Sequence, residues 1–280
     1  METVKVFFKN FLETHKNLKE FYPGIKLRRL LETYFTLFPN EAEDTVYIDK
    51  KQFCKDLLKG RPLEYICNSS YFYRSEFYVD ERVLIPRNET EILVELSLEH
   101  LMNLSEENLK VAEIGVGSFC VGLSILLDIE KNVEFTGVDI SLEALEVAQI
   151  NYNRLRNDFK YSHKVSLLQS DCMNSINGLF DMVVSNPPYI RESKDKLGVH
   201  QQVDQFEPHI ALYLEDNIYH DWFDSLFSNV SLKLKTNGVF FMEGHEDTLK
   251  DLALLAKKYF KEVSIKQDYT HVDRFLLCYK

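Results

Sequence analysis

The sequence predicts an α/β fold with a mostly parallel sheet, preceded by a small helical bundle and a β-hairpin linker. Three observations lead to this prediction. From residue 109 onward, short apolar runs alternate with segments that have helical spacing. Residues 1–60 show helical spacing only, and two aromatic runs lie between these parts. The composition, 45% hydrophobic and 28% charged, is that of a globular protein.

The N-terminal part predicts three helices. Apolar residues recur at helical spacing from Val4 to Leu12, and Pro23-Gly24 ends this run. A second run follows and stops near Pro39-Asn40. Asp49 is predicted to cap a third helix, which has Phe53 on its apolar side. We therefore expect these helices to pack as a bundle.

The linker predicts a hairpin and the start of a long helix. Arg74-Ser75-Glu76 joins two aromatic runs, Tyr71–Tyr73 and Phe77–Val79, and so marks a hairpin. Farther on, Asn88 precedes Glu91 by three residues, which is the spacing of a capping box. The predicted domains are a helical bundle for substrate recognition over 1–65, a hairpin linker over 66–86 and an α/β domain over 87–280.

The α/β domain is predicted from regular alternation of strands and helices. The apolar runs predict strands at 111–114, 134–138, 165–168, 182–184, 239–242, 263–265 and 275–279. The predicted helices are 119–128, 141–156, 219–234 and 246–260. Such alternation indicates a mostly parallel sheet with helices on both faces. Ligands of such sheets bind at the carboxyl ends of the strands.

A ligand site is expected at the first three strand ends. Glu113, Gly115 and Gly117 lie at the first turn, where glycines allow a tight bend and close approach to a ligand. Asp139 and Asp171 end the next two strands. Three acids favour a ligand with a nucleoside and a positive centre, such as S-adenosylmethionine, whereas the two phosphates of NAD would be less favourable there.

The turn does not have the spacing of the common phosphate-binding loops. Phe119 and Cys120 follow where a third glycine would complete Gly-x-Gly-x-x-Gly, and no Lys-Ser or Lys-Thr pair of a P-loop follows.

Ser185-Asn186-Pro187-Pro188-Tyr189 follows a buried strand and is the most informative run of the chain. Proline fixes φ, has no backbone donor and forces the preceding residue into extended geometry. The Asn186 oxygen and a free backbone carbonyl could therefore grip the NH2 group of a planar amide or amine. A proline-rich turn without function is the alternative.

Charge, cysteine usage and hydropathy restrict the class of protein. Residues 1–75 hold 13 Lys and Arg against 10 Asp and Glu, whereas the remainder holds 20 against 34. The acidic larger part argues against a duplex nucleic acid substrate. The five cysteines lack CxxC spacing, and neither they nor the histidines suggest a metal site. With no apolar leader and no apolar run of about 20 residues, we expect a cytoplasmic protein without membrane contact.

Several blocks, taken together, resemble the HemK-type (PrmC) glutamine N5-methyltransferases of peptide chain release factors. The blocks are Arg61–Ile66, Leu84–Glu91, Asn186–Tyr189, Phe206–Pro208 with Ala211-Leu212, and Val272–Phe275. The resemblance covers nearly all of the chain from the linker onward. The chain departs from the family at Asn88, where proline is usual, at Phe119, where a third glycine of the turn is usual, and at Tyr213–Asn217, where glycines are usual.

The resemblance implies a Rossmann-like class I S-adenosylmethionine-dependent methyltransferase domain. The methyl acceptor would be the glutamine of the Gly-Gly-Gln motif of class I release factors, and the product of the cofactor would be S-adenosylhomocysteine. The enzyme would be a monomer without a metal, and its reaction would tune translation termination. The implied cofactor residues are Glu113, Gly115, Gly117, Asp139, Asp171 and Asn186.

The same resemblance assigns the acceptor site. Asn186 and the Pro187 carbonyl would accept the two amide hydrogens, with Pro188 beside them. Tyr189 would pack on the amide plane, with an ordinary packing role as the alternative. Arg87 and Glu89 would line the substrate entrance or form a structural ion pair.

Two other functions stay open at this point. An adenine N6-methyltransferase of DNA or RNA could use the same grip, but it needs base flipping and a basic cleft. A catalytically silent binding protein could keep the fold, and Phe119 in the glycine-rich turn is the feature that favours it.

Overall fold

The computed structural model describes residues 2–45 and 50–280, and it divides into two compact units. One unit contains the residues up to Ser69 together with Val199–Glu207. The other contains Ser70–Gly198 and Pro208–Lys280. None of the described helices is long and apolar enough to cross a membrane.

The first unit is helical. Its helices are Val4–Thr14, Leu18–Phe21, Leu27–Leu37, Lys51–Leu58, Leu63–Cys67 and Gln201–Phe206. The side chain of Thr3 caps the first helix by accepting a hydrogen bond from the Val6 N–H. Phe8, Leu30 and Tyr34 are fully buried, as the helical spacing of their apolar neighbours predicts. The predicted cap Asp49 lies outside the described residues.

The linker forms the predicted hairpin, but its turn is placed differently. Strands β1 (Ser70–Phe72) and β2 (Ser75–Phe77) pair antiparallel with Phe72 opposite Ser75. The turn is therefore Tyr73-Arg74, two residues long, and the predicted turn at 74–76 is wrong. Tyr73 adopts a left-handed φ of 55°, as the first central residue of the favoured two-residue hairpin turns does.

The predicted capping box is also wrong. A single 3₁₀ turn occupies Asn88–Thr90, and the helix runs from Glu91 to Asn103, so Asn88 is not its N-cap. The Glu91 carboxylate accepts a hydrogen bond from the Tyr73 N–H at 2.8 Å. The Glu91 side chain thus holds the hairpin turn. The first turn of helix Glu91–Asn103 has no side-chain capping hydrogen bond.

The second unit is built on a seven-stranded sheet with the order β10-β11-β9-β6-β3-β4-β5. Its strands, with the short parallel pair β7 and β8, are β3 (Asn108–Ile114), β4 (Asn132–Asp139), β5 (Lys164–Gln169), β6 (Phe180–Ser185), β7 (Ile190–Arg191), β8 (Tyr213–Leu214), β9 (Leu234–Glu243), β10 (Glu262–Gln267) and β11 (Asp273–Tyr279). Strand β11 is antiparallel to both neighbours, and the other pairings in the sheet are parallel. The predicted α/β class is confirmed.

Helices cover both faces of this sheet. They are Glu91–Asn103, Cys120–Asp128, Leu142–Leu155, Tyr219–Lys233 and Glu246–Ala256, whereas the short helix His209–Leu212 directly precedes β8. Along β9, Phe241 belongs to one apolar cluster and Phe240 to the other, because successive side chains of a strand point to opposite faces. Every residue of β6 is buried, which explains its apolar run Met182–Val184.

The register places three strand ends side by side. Ser185, the last residue of β6, pairs with Ile114 of β3 on one side and with Met242 of β9 on the other. Asn186 and Glu243 therefore occupy equivalent positions at the carboxyl edge of the sheet. In a parallel α/β sheet this edge is where a ligand site is expected.

Candidate functional site

A cavity opens at the carboxyl ends of β3, β4 and β6. The predicted site residues that line it are Arg87, Glu113, Gly115, Gly117, Asp139, Asp171, Asn186, Pro187 and Pro188. Tyr189 and Glu89 are not among its lining residues. The fold thus brings nine of the predicted residues to one cavity, because their strands end at the same edge of the sheet.

The glycine-rich turn shapes one wall of this cavity. Gly115 and Gly117 have φ of 72° and 49°, a region that glycine adopts without strain. The Gly115 N–H donates to the Val138 carbonyl at 2.8 Å, which ties the turn to β4. A Cβ atom added at Gly117 would meet nothing within 4 Å, so the turn leaves open space for a ligand.

Asp139 faces this turn from the end of β4. One carboxylate oxygen accepts the Gly117 N–H at 3.0 Å and the other accepts the Ser141 N–H at 2.9 Å. Burial raises the pKa of Asp139, and these backbone hydrogen bonds oppose the rise. Each oxygen retains acceptor capacity, so the carboxylate can still bind hydroxyl groups of a ligand.

Glu113 lies deeper in the same wall. Its carboxyl group is buried and accepts the Gly122 N–H at 3.0 Å, at the start of helix Cys120–Asp128. Burial raises the pKa of Glu113 well above its usual range. A Cβ atom at Gly122 would come within 2.5 Å of the Glu113 carboxylate, so this close contact requires glycine.

Phe119 adopts a backbone conformation that is typical of glycine. Its φ of 65° is left-handed, whereas its side chain is fully buried. The ring centroid lies 5.3 Å from that of Phe135, so the ring belongs to the apolar core. The departure from the glycine pattern therefore fills the core and leaves the ligand-facing backbone of the turn in place.

A buried asparagine that the sequence did not single out joins the turn to the linker. The Asn151 amide donates to the carbonyls of Ser118 and Tyr78, both at 2.9 Å, and its oxygen accepts the Tyr78 N–H at 2.7 Å. No sequence signal marks this residue, because an asparagine inside an amphipathic helix is usually exposed.

Asp171 borders the cavity beyond β5 and is exposed. Its neighbour Cys172 also lines the cavity and has a φ of 47°. Burial, followed by the charge of Asp171, raises the pKa of the Cys172 thiol to about 12. Cys172 is therefore a protonated thiol at neutral pH and a poor nucleophile.

A second group of hydrogen bonds joins Asn186 and Thr90, which both line the cavity, to the buried Glu243. The Asn186 amide donates to Thr90 Oγ1 at 3.2 Å, and the Thr90 hydroxyl donates to Glu243 Oε2 at 2.6 Å. The Tyr189 hydroxyl donates to Glu243 Oε1 at 3.0 Å. Glu243 thus contacts Tyr189 directly and reaches Asn186 through Thr90.

This group includes two polar residues that the sequence reasoning missed. Thr90 and Glu243 are only 3% and 1% exposed, yet both have hydrogen-bond partners. Glu243 ends β9 just as Asp139 ends β4, and Thr90 lies in the Leu84–Glu91 block, so both carried a usable signal. Further lining residues that were missed include Arg82, Ile140, Ser141, Ile210, Tyr213 and Trp222.

Among the residues that the structure describes, no group of three or more His, Cys, Asp and Glu side chains could hold a metal ion. The predicted absence of a metal stays a prediction.

Comparisons with known proteins agree with this architecture. Residues 89–206 match the family model described as the Methyltransferase small domain. The release factor glutamine methyltransferase of Chlorobaculum tepidum is 32% identical over 233 residues, covering 80% of this chain and 76% of that protein. The release factor glutamine methyltransferase of Flavobacterium psychrophilum is 34% identical over 222 residues, covering 79% of this chain and 76% of that protein.

Two solved structures share the fold at low sequence identity. The Thermus thermophilus 16S rRNA N2 G1207 methyltransferase (RsmC), in complex with AdoMet and guanosine, is 16% identical with a TM-score of 0.51, covering 76% of this chain and 49% of that one. A methyltransferase from Pyrococcus furiosus is 17% identical with a TM-score of 0.50, covering 72% of this chain and 87% of that one. These likenesses concern the fold alone. The two sequence relatives show more than the fold, because their matches cover most of this chain and most of each relative. This chain belongs to the release factor glutamine methyltransferase family.

Proposed function

We propose that this protein transfers the methyl group of S-adenosylmethionine to the side-chain nitrogen N5 of the glutamine in the Gly-Gly-Gln motif of class I release factors. The observation that supports this best is that Asn186, Pro187 and Pro188 line the same cavity as Asp139 and the glycine-rich turn. A methyl donor and an amide held in one cavity need no further group for transfer. The family membership supports the choice of glutamine over a nucleobase.

Open space at the glycine-rich turn and acidic groups in the cavity wall support S-adenosylmethionine as the ligand. Gly117 leaves open space, and the Asp139 oxygens retain acceptor capacity for two ribose hydroxyls. Glu113 and Asp171 add acidic groups to the wall, although burial favours the neutral form of Glu113. When bound, the cofactor supplies an electrophilic methyl group on a sulfonium, with S-adenosylhomocysteine as the product.

Asn186 and Pro187 would position the acceptor. An amide nitrogen is a weak nucleophile because its lone pair is delocalised, and prior deprotonation would be unfavourable. The Asn186 oxygen and the Pro187 carbonyl would accept the two amide hydrogens, which directs the nitrogen toward the methyl group and favours the positive charge that develops. The proton then leaves after transfer, without a general base.

The other assignments are part of the same proposal. Tyr189 would support the acceptor site from behind the cavity wall. Pro188 would line the acceptor site. Arg87, which lines the cavity, and the exposed Glu89 would contact the incoming loop. We assign release factor recognition to the helical unit and place the enzyme, as a monomer, in the cytoplasm, where release factors act.

The test is a labelling reaction with purified class I release factor and S-adenosylmethionine carrying an isotopic methyl group. Mass spectrometry should locate the label on the glutamine of Gly-Gly-Gln. A release factor with glutamate at this position is the matched control, because it keeps the shape and lacks the acceptor nitrogen. Label on the glutamate variant, or strong label on DNA, would contradict the proposal.

A further inference from the structure

We propose that Thr90 and Glu243 are positioning residues that fix the orientation of the Asn186 amide. This role rests on the proposed function, since it matters because Asn186 would there present an acceptor oxygen to the glutamine amide. Thr90 and Glu243 would act through Asn186 and would not themselves contact the substrate amide.

The directions of the hydrogen bonds carry the argument. A carboxylate can only accept hydrogen bonds, so the Thr90 hydroxyl donates its single hydrogen to Glu243 Oε2 at 2.6 Å. The Thr90 oxygen is then an acceptor toward Asn186, and only the NH2 end of the Asn186 amide can bind it. This contact is 3.2 Å long.

These hydrogen bonds define the direction in which the Asn186 side-chain oxygen points. With its NH2 group bound to Thr90, Asn186 turns its oxygen away from Thr90, and this oxygen is free to accept a hydrogen from an amide. A flipped Asn186 would present N–H groups to the N–H groups of the acceptor, which is repulsive. Local sequence does not select between these two orientations, because the two ends of an asparagine amide have nearly the same shape.

Two hydroxyl groups, those of Thr90 and Tyr189, donate to the Glu243 carboxylate. Burial raises its pKa, but the hydrogen bonds from Thr90 and Tyr189 and the charge of Arg274 oppose this rise. Arg274 is in turn held by Asp268 and Glu246, each at 3.3 Å. One buried carboxylate therefore orients Asn186 through Thr90 and holds the Tyr189 hydroxyl at 3.0 Å.

The test compares Thr90→Val, which keeps the shape and removes the hydroxyl, with Thr90→Ser, which keeps the hydroxyl. In protein labelled with ¹⁵N-asparagine, the Asn186 side-chain signal is identified by its absence in Asn186→Asp. Thr90→Val should speed hydrogen exchange of this NH2 group by about tenfold or more, and Thr90→Ser by less than about threefold. This readout does not depend on any methyl transfer.

Kinetics on release factor then test the catalytic consequence. Thr90→Val should lower kcat by about tenfold or more, with the KM for release factor and the Kd for S-adenosylmethionine within about twofold of wild type. Thr90→Ser should restore most of kcat. Glu243→Gln, which leaves one acceptor oxygen for two hydroxyls, should give a kcat between those of the two Thr90 variants.

Three results would overturn the inference. These are unchanged Asn186 exchange in Thr90→Val, a wild-type kcat in Thr90→Val, and loss of cofactor binding in parallel with kcat, which would indicate a general structural role. If the wild-type protein fails to methylate release factor, the proposed function fails by itself. The exchange comparison then still decides whether Thr90 orients Asn186.

Discussion

The carboxylate of Asp139 accepts a hydrogen bond of 3.0 Å from the backbone N–H of Gly117, and this contact links the ends of two neighbouring parallel strands. It places an acceptor with spare lone pairs beside the open space at Gly117. The arrangement is suited to a ribose, whose two hydroxyls can both donate to one carboxylate.

The first prediction concerns this carboxylate. Asp139→Ala should weaken S-adenosylmethionine binding by about 1.5–3 kcal/mol, roughly a 10- to 150-fold rise in Kd, because hydrogen bonds to a charged group are lost. Isothermal titration calorimetry measures this change. The exposed Asp158 provides the matched control, and Asp158→Ala should bind like wild type. An unchanged Kd for Asp139→Ala would remove Asp139 from the cofactor site.

The second prediction concerns the acceptor grip. Asn186→Ala should lower kcat by about a hundredfold or more, because a positioned hydrogen-bond acceptor is lost, while the Kd for S-adenosylmethionine changes by less than about twofold. Rates of release factor labelling and calorimetry on the same preparation measure both effects. The control is Asn153→Ala, since Asn153 is exposed and bonds only locally to Gln149. Wild-type labelling by Asn186→Ala would contradict the proposed grip.

The third prediction is a pH dependence of stability that arises from Glu113. Because burial raises its pKa in the folded state, the folded protein binds this proton more tightly than the unfolded chain does. The contribution of Glu113 to stability is therefore full below the unfolded pKa of about 4.3 and falls as pH rises toward the folded pKa. Glu113→Gln lacks this titration and can still accept the Gly122 N–H.

Urea unfolding at pH 5 and pH 8 measures this effect. The free energy of unfolding of Glu113→Gln minus that of wild type should be larger at pH 8 than at pH 5, because only wild type loses stability from the Glu113 charge. Glu243 titrates in both proteins, so its contribution cancels in the comparison, whereas the repulsion between Glu113 and Asp139 is part of the measured effect. A difference that stays constant or reverses between the two pH values would show that Glu113 is not destabilised by its charge.

The fourth prediction concerns Phe119. Phe119→Gly should relieve about 1–2 kcal/mol of left-handed backbone strain but lose about 3–5 kcal/mol from removal of a buried ring, so a net destabilisation of about 1–4 kcal/mol is expected. Denaturant unfolding measures the change, with Phe119→Leu as the control that keeps the strain and part of the volume. A Phe119→Gly protein more stable than wild type would contradict the packing role of the ring.

Much of the fold and of the candidate site follows from local sequence. The runs at Val111–Ile114 and Met182–Val184 predict strands because a strand buried on both faces needs continuous apolar residues. The glycines and acids that follow such runs must lie at the carboxyl edge of the sheet, so Gly115, Asp139 and Asn186 could be assigned to one site before any coordinates were known. Their shared cavity is a consequence of strand polarity.

Only the tertiary structure decided how distant residues meet. Thr90 and Glu243 are separated by 153 residues and Thr90 and Asn186 by 96, and their hydrogen bonds exist because β9 lies beside β6 in the sheet. The hairpin turn at Tyr73-Arg74, and the inclusion of Val199–Glu207 in the helical unit, were equally undetermined by local sequence. Apolar spacing reports which side of an element is buried, but it does not encode strand order, register or the partner that a buried polar group finds.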